Sequence, residues 1–247
     1  LISYGFIDTK LQTKFIAEIG WNHMGDLSVA ENMIIGASQS GADFAKFQTW
    51  SVSRLKNGSW DSDGRRKIYE SAELSLEKHK QLISLCNQNS ISFFSSVFSI
   101  DDAQLLKDLG IISVKIPSFE IINSELLEYC NQNFDHIYIS TGASTWDEVL
   151  NLKNIFKDLN KITVMHCVSA YPCITSSINL PKINKLKEVF PNVGFSDHTQ
   201  GIEVTKISLS YNIKAVEKHF TIDHNLPGRD NKFAILPNDL KELIDFN

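Results

Sequence analysis

Short apolar runs recur along the chain at residues 14–19, 43–48, 91–96, 112–117, 136–141, 162–167, 193–197 and 214–219. Each has the length and nearly continuous apolar character of a parallel strand buried on both faces. Between the runs the apolar positions switch to helical spacing. In residues 27–40, Ala30, Met33, Ile34 and Ala37 fall on one face, and residues 101–109, 146–156, 181–189 and 202–211 read likewise. Capping signals agree: Ser99 or Asp101 can open one helix and Gly110 close it, and Thr145 with Glu148 fits a capping box. Eight strands alternating with helices predict parallel βα units. The chain has 247 residues, and one barrel of such units takes about 250. The prediction is an α/β protein, a single (β/α)8 TIM barrel over residues 1–247, with an open doubly wound sheet as the alternative. Most strand starts lie about 20 to 30 residues apart, as in βαβ units. The exception is residues 49–73, which read as a long polar loop, and long loops in compact domains are often functional.

A strand buried on both faces should stay apolar to its end. Here nearly every run closes on polar or charged residues: Glu18, Lys46, Gln48, Ser96, Lys115, Ser118, Glu120, Ser140, Thr141, His166, Ser196, Asp197, His198, Glu217 and His219. An unpaired buried polar group costs about 1–3 kcal/mol, so a full ring of them marks a site, and the C-terminal face of a barrel is where active sites lie. Lys46 and Lys115 stand inside apolar strands, and a lysine is almost never fully buried unless paired. Either each reaches a nearby carboxylate or the two share an anion. Their equivalent positions point to phosphate or carboxylate binding, with Ser118, Ser140 and Ser196 as hydroxyl donors. His198 and His219 end successive strands, so their imidazoles can meet at one divalent cation. With only two protein ligands, substrate and water would complete the shell, which suits Mn²⁺ or Mg²⁺ better than structural zinc. His23 either bonds substrate or braces its loop, while His79, His136 and His224 read as surface or structural residues.

The bulk numbers remove several function classes. The composition is 43% hydrophobic and 21% charged, which is that of a globular protein rather than a disordered one. Net charge is −5 and no basic run stands out, which disfavours nucleic acid but leaves room for a small anion in a local pocket. No apolar stretch approaches the roughly 20 residues of a membrane span. Residues 1–14 lack the basic-then-apolar order of a signal peptide, so a cytoplasmic location is expected. Cys86, Cys130, Cys167 and Cys173 form no C-x-x-C pair and read as reduced thiols. No glycine-rich nucleotide motif occurs.

Taken in order, the motifs resemble those of the sialic acid synthases. They run from Phe15-Ile16-Ala17-Glu18-Ile19-Gly20 with Asn22-His23, through Gly41-Ala42-Asp43 with Lys46-Phe47-Gln48-Thr49, to Val114-Lys115-Ile116 with Ser118 and Glu120. Ser140-Thr141-Gly142, His166-Cys167-Val168-Ser169-Ala170-Tyr171-Pro172, Gly194-Phe195-Ser196-Asp197-His198-Thr199, Glu217-Lys218-His219-Phe220-Thr221 and Leu226-Pro227-Gly228 with Asp230 complete the set. The resemblance implies condensation of phosphoenolpyruvate with an N-acylated hexosamine such as N-acetylmannosamine. The product is a nine-carbon 2-keto sugar acid, and phosphate leaves by C–O cleavage. Carried over by position, Lys46, Lys115, Ser118, Ser140 and Ser196 would hold phosphoenolpyruvate, with Ser96 and Ser169 nearby. His198 and His219 would hold Mn²⁺. Glu18 and Glu120, with Lys115, would serve the chemistry, and Gln48, Tyr171 and Asp230 would contact the sugar.

Three motifs depart from the family's usual form: Ser118-Phe119-Glu120, Ser96-Val97-Phe98 and Pro227-Gly228-Arg229-Asp230. They bear on the identity of the sugar more than on the reaction class. The family usually continues into a small C-terminal domain that lends an arginine to a partner's site, and its barrels usually pair; that domain is not expected within residues 1–247, and a homodimer is. Two rival readings are a 2-keto acid synthase using a sugar phosphate, with Arg229, Arg65 or Arg66 at the second phosphate, and a barrel that binds these ligands without turning them over.

Overall fold

The eight apolar runs pair edge to edge in chain order, all parallel, and β8 returns to β1 to close a barrel. The computed structural model describes residues 13–54, 58 and 62–247. The strands are β1 (Lys14–Gly20), β2 (Phe44–Thr49), β3 (Ser92–Val97), β4 (Ser113–Ile116), β5 (His136–Ser140), β6 (Ile162–Cys167), β7 (Val193–Asp197) and β8 (Ala215–His219). The helices are α1 (Leu27–Gln39), α2 (Arg65–Ala72), α3 (Leu76–Gln88), α4 (Ile100–Asp108), α5 (Ser124–Asn133), α6 (Trp146–Ile155), α7 (Lys182–Lys187), α8 (Glu203–Leu209) and α9 (Pro237–Phe246). Closure rather than an open sheet is therefore the outcome. Among the described residues no helix is long and apolar enough to cross a membrane.

Strand alternation sorts the side chains into two sets. Outward residues such as Ala45, Phe47, Ile137, Ile139 and Val164 pack beneath the helices in the main core. Inward residues build layers along the barrel axis. Ile16, Phe94, Tyr138, Met165 and Ala215, with Phe44 against them, form an apolar plug. Two residues further along each of these six strands the inward positions become Glu18, Lys46, Ser96, Ser140, Cys167 and Glu217. The plug thus seals the barrel's interior directly beneath a polar layer.

The predicted caps hold. Ser99 accepts from Asp102 N, and Thr145 with Glu148 makes the capping box of α6. Gly110 follows α4 at φ +80°. The stretch 49–73, read above as loop, needs correction: within its described part it contains a 3-10 turn, Val52–Arg54, and helix α2. The mean hydropathy of α2 is low, which hides it from an apolar-periodicity reading. It is held by tertiary contacts instead. Ser71 donates to Met24 O at 2.8 Å, and Tyr69 meets both Trp21 and Trp50 at 5.7 Å between centroids. Gly25, at φ +82°, lies so close that a Cβ there would sit 1.8 Å from Ser71 O.

Candidate active site

At the C-terminal end of the strands the polar layer opens into a cavity of about 210 Å³. Its walls include Glu18, Lys46, Gln48, Ser96, Lys115, Ser118, Ser140, Tyr171, Ser196, His198, His219 and Asp230, twelve residues singled out from the sequence. Period-two alternation explains the selection. Lys46 and Gln48 on β2, and Glu217 and His219 on β8, point inward, whereas Asp197 and Lys218 between such positions point outward and pair at 2.9 Å. Asp197 also accepts from Thr199 N and from the Thr199 and Thr205 hydroxyls, so it is a structural hub. His166 points away from the cavity as well and bonds the Ile178 carbonyl at 2.6 Å.

Two expected residues are not on this wall. Glu120 lies in the 3-10 turn Ser118–Glu120 and accepts from Asn123 at 2.9 Å, because the chain turns away after Ser118. Ser169 is exposed beyond the end of β6, beside Gly142. His79, His136 and His224 are structural as expected, bonding Thr49, Thr163 and the Ala234 carbonyl respectively. His23 braces its own loop: Gly25 N donates to its Nδ1 at 3.0 Å, and its Nε2 is buried without a partner.

The two lysines do find carboxylates. Lys46 Nζ donates to Glu18 Oε2 at 2.6 Å and lies 3.7 Å from Glu217 Oε1; Lys115 Nζ donates to Glu217 Oε2 at 2.7 Å. Gln48 donates to the other Glu18 oxygen at 2.7 Å, and Ser196 to Glu217 Oε1 at 3.2 Å. The Glu18↔Lys46 and Ser196↔Glu217 contacts follow from strand register. All four charged groups are nearly fully buried, where an unmatched charge would be prohibitive. Both sequence readings of the lysines thus meet in one place: carboxylates hold the ammonium groups, and the ammonium groups still face the cavity.

The two carboxyl groups are driven apart electrostatically. Burial raises Glu18, and the nearby Glu217 charge adds to that, with Lys46 only partly offsetting them. Burial acts on Glu217 in the same sense, but Lys115 and Lys46 together outweigh it and hold its carboxyl at about 2. Lys115 is lowered by desolvation despite Glu217. A site with one ionised carboxylate and one pushed toward protonation separates acid from base.

At the ends of β7 and β8, His198 and His219 approach with ring centroids 5.5 Å apart. His198 Nδ1 lies 2.8 Å from the Val168 carbonyl, an arrangement that puts the proton on Nδ1 and leaves Nε2 as the lone-pair nitrogen. Burial lowers His219 well below the usual imidazole range, and its Nδ1 is buried without a hydrogen-bond partner. A neutral imidazole with an orphaned nitrogen beside a second oriented imidazole fits a divalent cation. Among the described residues no group of three or more His, Cys, Asp or Glu side chains surrounds one position, so such a cation would draw the rest of its shell from substrate and water. Tyr171 stacks near both rings, 4.1 Å from His198 and 5.9 Å from His219.

Several wall residues were not assigned roles from the sequence: Glu217, Cys167, Trp21, Phe98 and Phe119. Glu217 was detectable, since it lies two residues before His219 on the same strand face. Phe98 and Phe119 pair at the mouth, 5.8 Å between centroids. Arg229 lies over Tyr171 and beside Asp230. This loop is fixed by Asn231, which donates to the Asn22 and Pro227 carbonyls and accepts from Thr221.

The profile of the NeuB family matches residues 33–246. The chain is 36% identical over 250 residues to an N,N'-diacetyllegionaminic acid synthase of Campylobacter jejuni, covering 94% of this chain and 74% of that one. It is 31% identical over 255 residues to a pseudaminic acid synthase of the same species, covering 98% and 74%. The structure is similar to an N-acetylneuraminic acid synthetase of Leptospira borgpetersenii solved with citrate, at TM-score 0.86 and 29% identity, covering 96% and 83%.

Proposed function

The chain belongs to the NeuB family, and from that premise we propose that it condenses phosphoenolpyruvate with an N-acyl hexosamine to give a nine-carbon 2-keto sugar acid and phosphate. It is an enzyme of the synthase type, as its relatives are. The observation that carries the reading is the convergence, in one cavity, of two buried lysines, serine hydroxyls and a histidine pair.

Lys46 and Lys115, with the Ser118, Ser140 and Ser196 hydroxyls, bind the carboxylate and phosphate of phosphoenolpyruvate. In this reading its C3 faces the sugar aldehyde, which sits among Gln48, Tyr171 and Asp230. His198 and His219 would hold a divalent cation, Mn²⁺ or Mg²⁺, which would supply Lewis-acid polarisation of a carbonyl. C3 forms the new C–C bond with the aldehyde carbon, and the aldehyde oxygen takes up a proton. Water adds to C2 and gives one proton to Glu18, replacing the one passed to the aldehyde oxygen; the C2–O bond to phosphate then breaks, and phosphate carries off the second proton as C2 becomes the ketone. Glu18, raised by burial, is the group suited to hold and give the proton; the ionised Glu217 steadies both ammonium groups as positive charge develops at C2. Glu217, not Glu120, is the second carboxylate on the cavity wall.

The test is phosphate release across a panel of N-acyl hexosamines with Mn²⁺ supplied. Release that needs both substrates and metal is expected; none from folded protein would reject the reading in favour of a binding-only barrel. Acceptors with and without a 6-phosphate separate the sugar-phosphate alternative. Of its three arginines only Arg229 reaches the cavity wall, while Arg65 and Arg66 sit on α2 beside Asp63 and Glu70.

A further inference from the structure

A second cavity, about 300 Å³, lies between the β5–α6 loop, the end of β6 and helix α7. Its wall offers the hydroxyls of Thr141, Ser144 and Ser177, the Trp146 ring, and Lys182 and Lys185, and among the described residues it contains no Asp or Glu. Lys185 Nζ is held 4.1 Å from the Trp146 ring centroid, an arrangement that keeps the ammonium at the cavity without neutralising it. The Lys182 charge is felt at His166 on the same wall, which burial and that charge both lower. Among the described residues neither ammonium has a carboxylate within ion-pair distance. The contrast with the first cavity is direct, because there Glu18 and Glu217 match both lysines.

The two cavities share a partition. Cys167 lines both. Gly142 N donates to Ser118 Oγ at 2.9 Å, and Ser144 Oγ to Ser118 O at 3.4 Å. The partition is thin because residue 142 is glycine: a Cβ there would meet Ser169 Oγ at 2.6 Å and Cys167 Sγ at 2.9 Å. The loop that walls the second cavity therefore holds a serine of the first from behind.

We infer that the second cavity binds a small organic anion, a carboxylate or phosphate carried on a ring that lies against Trp146, and that its occupancy is coupled to the active site through the 141–144 loop and Ser118. The hydroxyls and Trp146 take the ring, and Lys182 and Lys185 take the charge. Coupling of this kind is reciprocal, so the active-site ligand and the anion alter each other's affinity by the same factor.

Glucuronate and glucose 6-phosphate serve as ring-bearing probes, with inorganic phosphate as the ring-free control, titrated by calorimetry against the whole chain. Saturable binding is expected for at least one ring-bearing probe, at least tenfold weaker in Lys182→Ala/Lys185→Ala and in Lys182→Gln/Lys185→Gln. Equal affinity in both double variants, or no binding of any probe, overturns the site; inorganic phosphate binding as tightly as both rings overturns the ring. The second measurement is phosphoenolpyruvate affinity with and without the saturating probe. A severalfold change in the wild type that vanishes in the double variants is expected, and an unchanged value overturns the coupling. The coupling alone rests on the proposed function: if phosphoenolpyruvate does not bind, that reading fails, while the anion site stands or falls by the first titration.

Discussion

Lys115 on β4 donates from Nζ to Glu217 Oε2 on β8 at 2.7 Å, a bond between residues 102 apart in the chain and on opposite sides of the barrel. It ties the two halves together at the level of the cavity floor. Removing the carboxylate leaves Lys115 buried with no adjacent counter-charge. Glu217→Ala is expected to destabilise the fold by about 3–5 kcal/mol, the usual cost of breaking a buried pair from one side. Urea unfolding measures it, and a loss under about 1 kcal/mol would mean that the pair contributes specificity without stability.

His23 links pH to stability. Burial lowers its pKa to about 4, and the Lys78 charge adds to the shift. In the unfolded chain the ring titrates near 6.5. The unfolded state therefore takes up the proton first as pH falls. The stability that His23 contributes is complete above about pH 6.5 and is lost on descending to about pH 4, roughly 3 kcal/mol in all. His23→Asn should flatten the urea midpoint against pH across that window relative to wild type. Parallel curves for the two proteins would assign the pH dependence to other groups.

The histidine pair predicts a metal dependence readable without turnover. Mn²⁺ binding by calorimetry should weaken at least tenfold in His198→Ala and in His219→Ala, and chelation should stop phosphate release in the wild type. Wild-type Mn²⁺ affinity in both variants would remove the pair from the metal site.

Phe119 is 58% exposed and pairs with Phe98 on the cavity mouth. Phe119→Gly should therefore change discrimination between acceptors that differ by one methyl or hydroxyl group. The expected change lies within the roughly 10- to 200-fold that one such apolar contact supplies. The KM for phosphoenolpyruvate should stay constant. A shift in that KM with acceptor preference unaltered would place the ring against the wrong substrate.

Much of this was legible because it is local. A strand's burial on both faces writes itself as an apolar run, so all eight strands appear within about one residue of their observed ends, and α6 announces itself through Thr145 and Glu148. Helix α2 was not legible, since it is polar nearly throughout and is held by Trp21, Trp50 and the Met24 carbonyl from other segments. Glu120 illustrates the converse. Its residue type and distance from Ser118 suit a catalytic acid, but the turn after Ser118 carries it off the wall.

The sequence by itself determined the alternation of strands and helices, the polar ring at the strand ends, and the two lysines and two histidines within it. Each is a matter of residue type at a fixed spacing along one element. Only the tertiary structure decided which carboxylate each lysine meets, that Glu217 rather than Glu120 lines the cavity, and that Lys182 and Lys185 wall a second cavity with no counter-charge among the described residues. Those relations join strands and helices far apart in the chain. They depend on barrel register and on where each loop turns, quantities that the spacing of residues along one element does not carry.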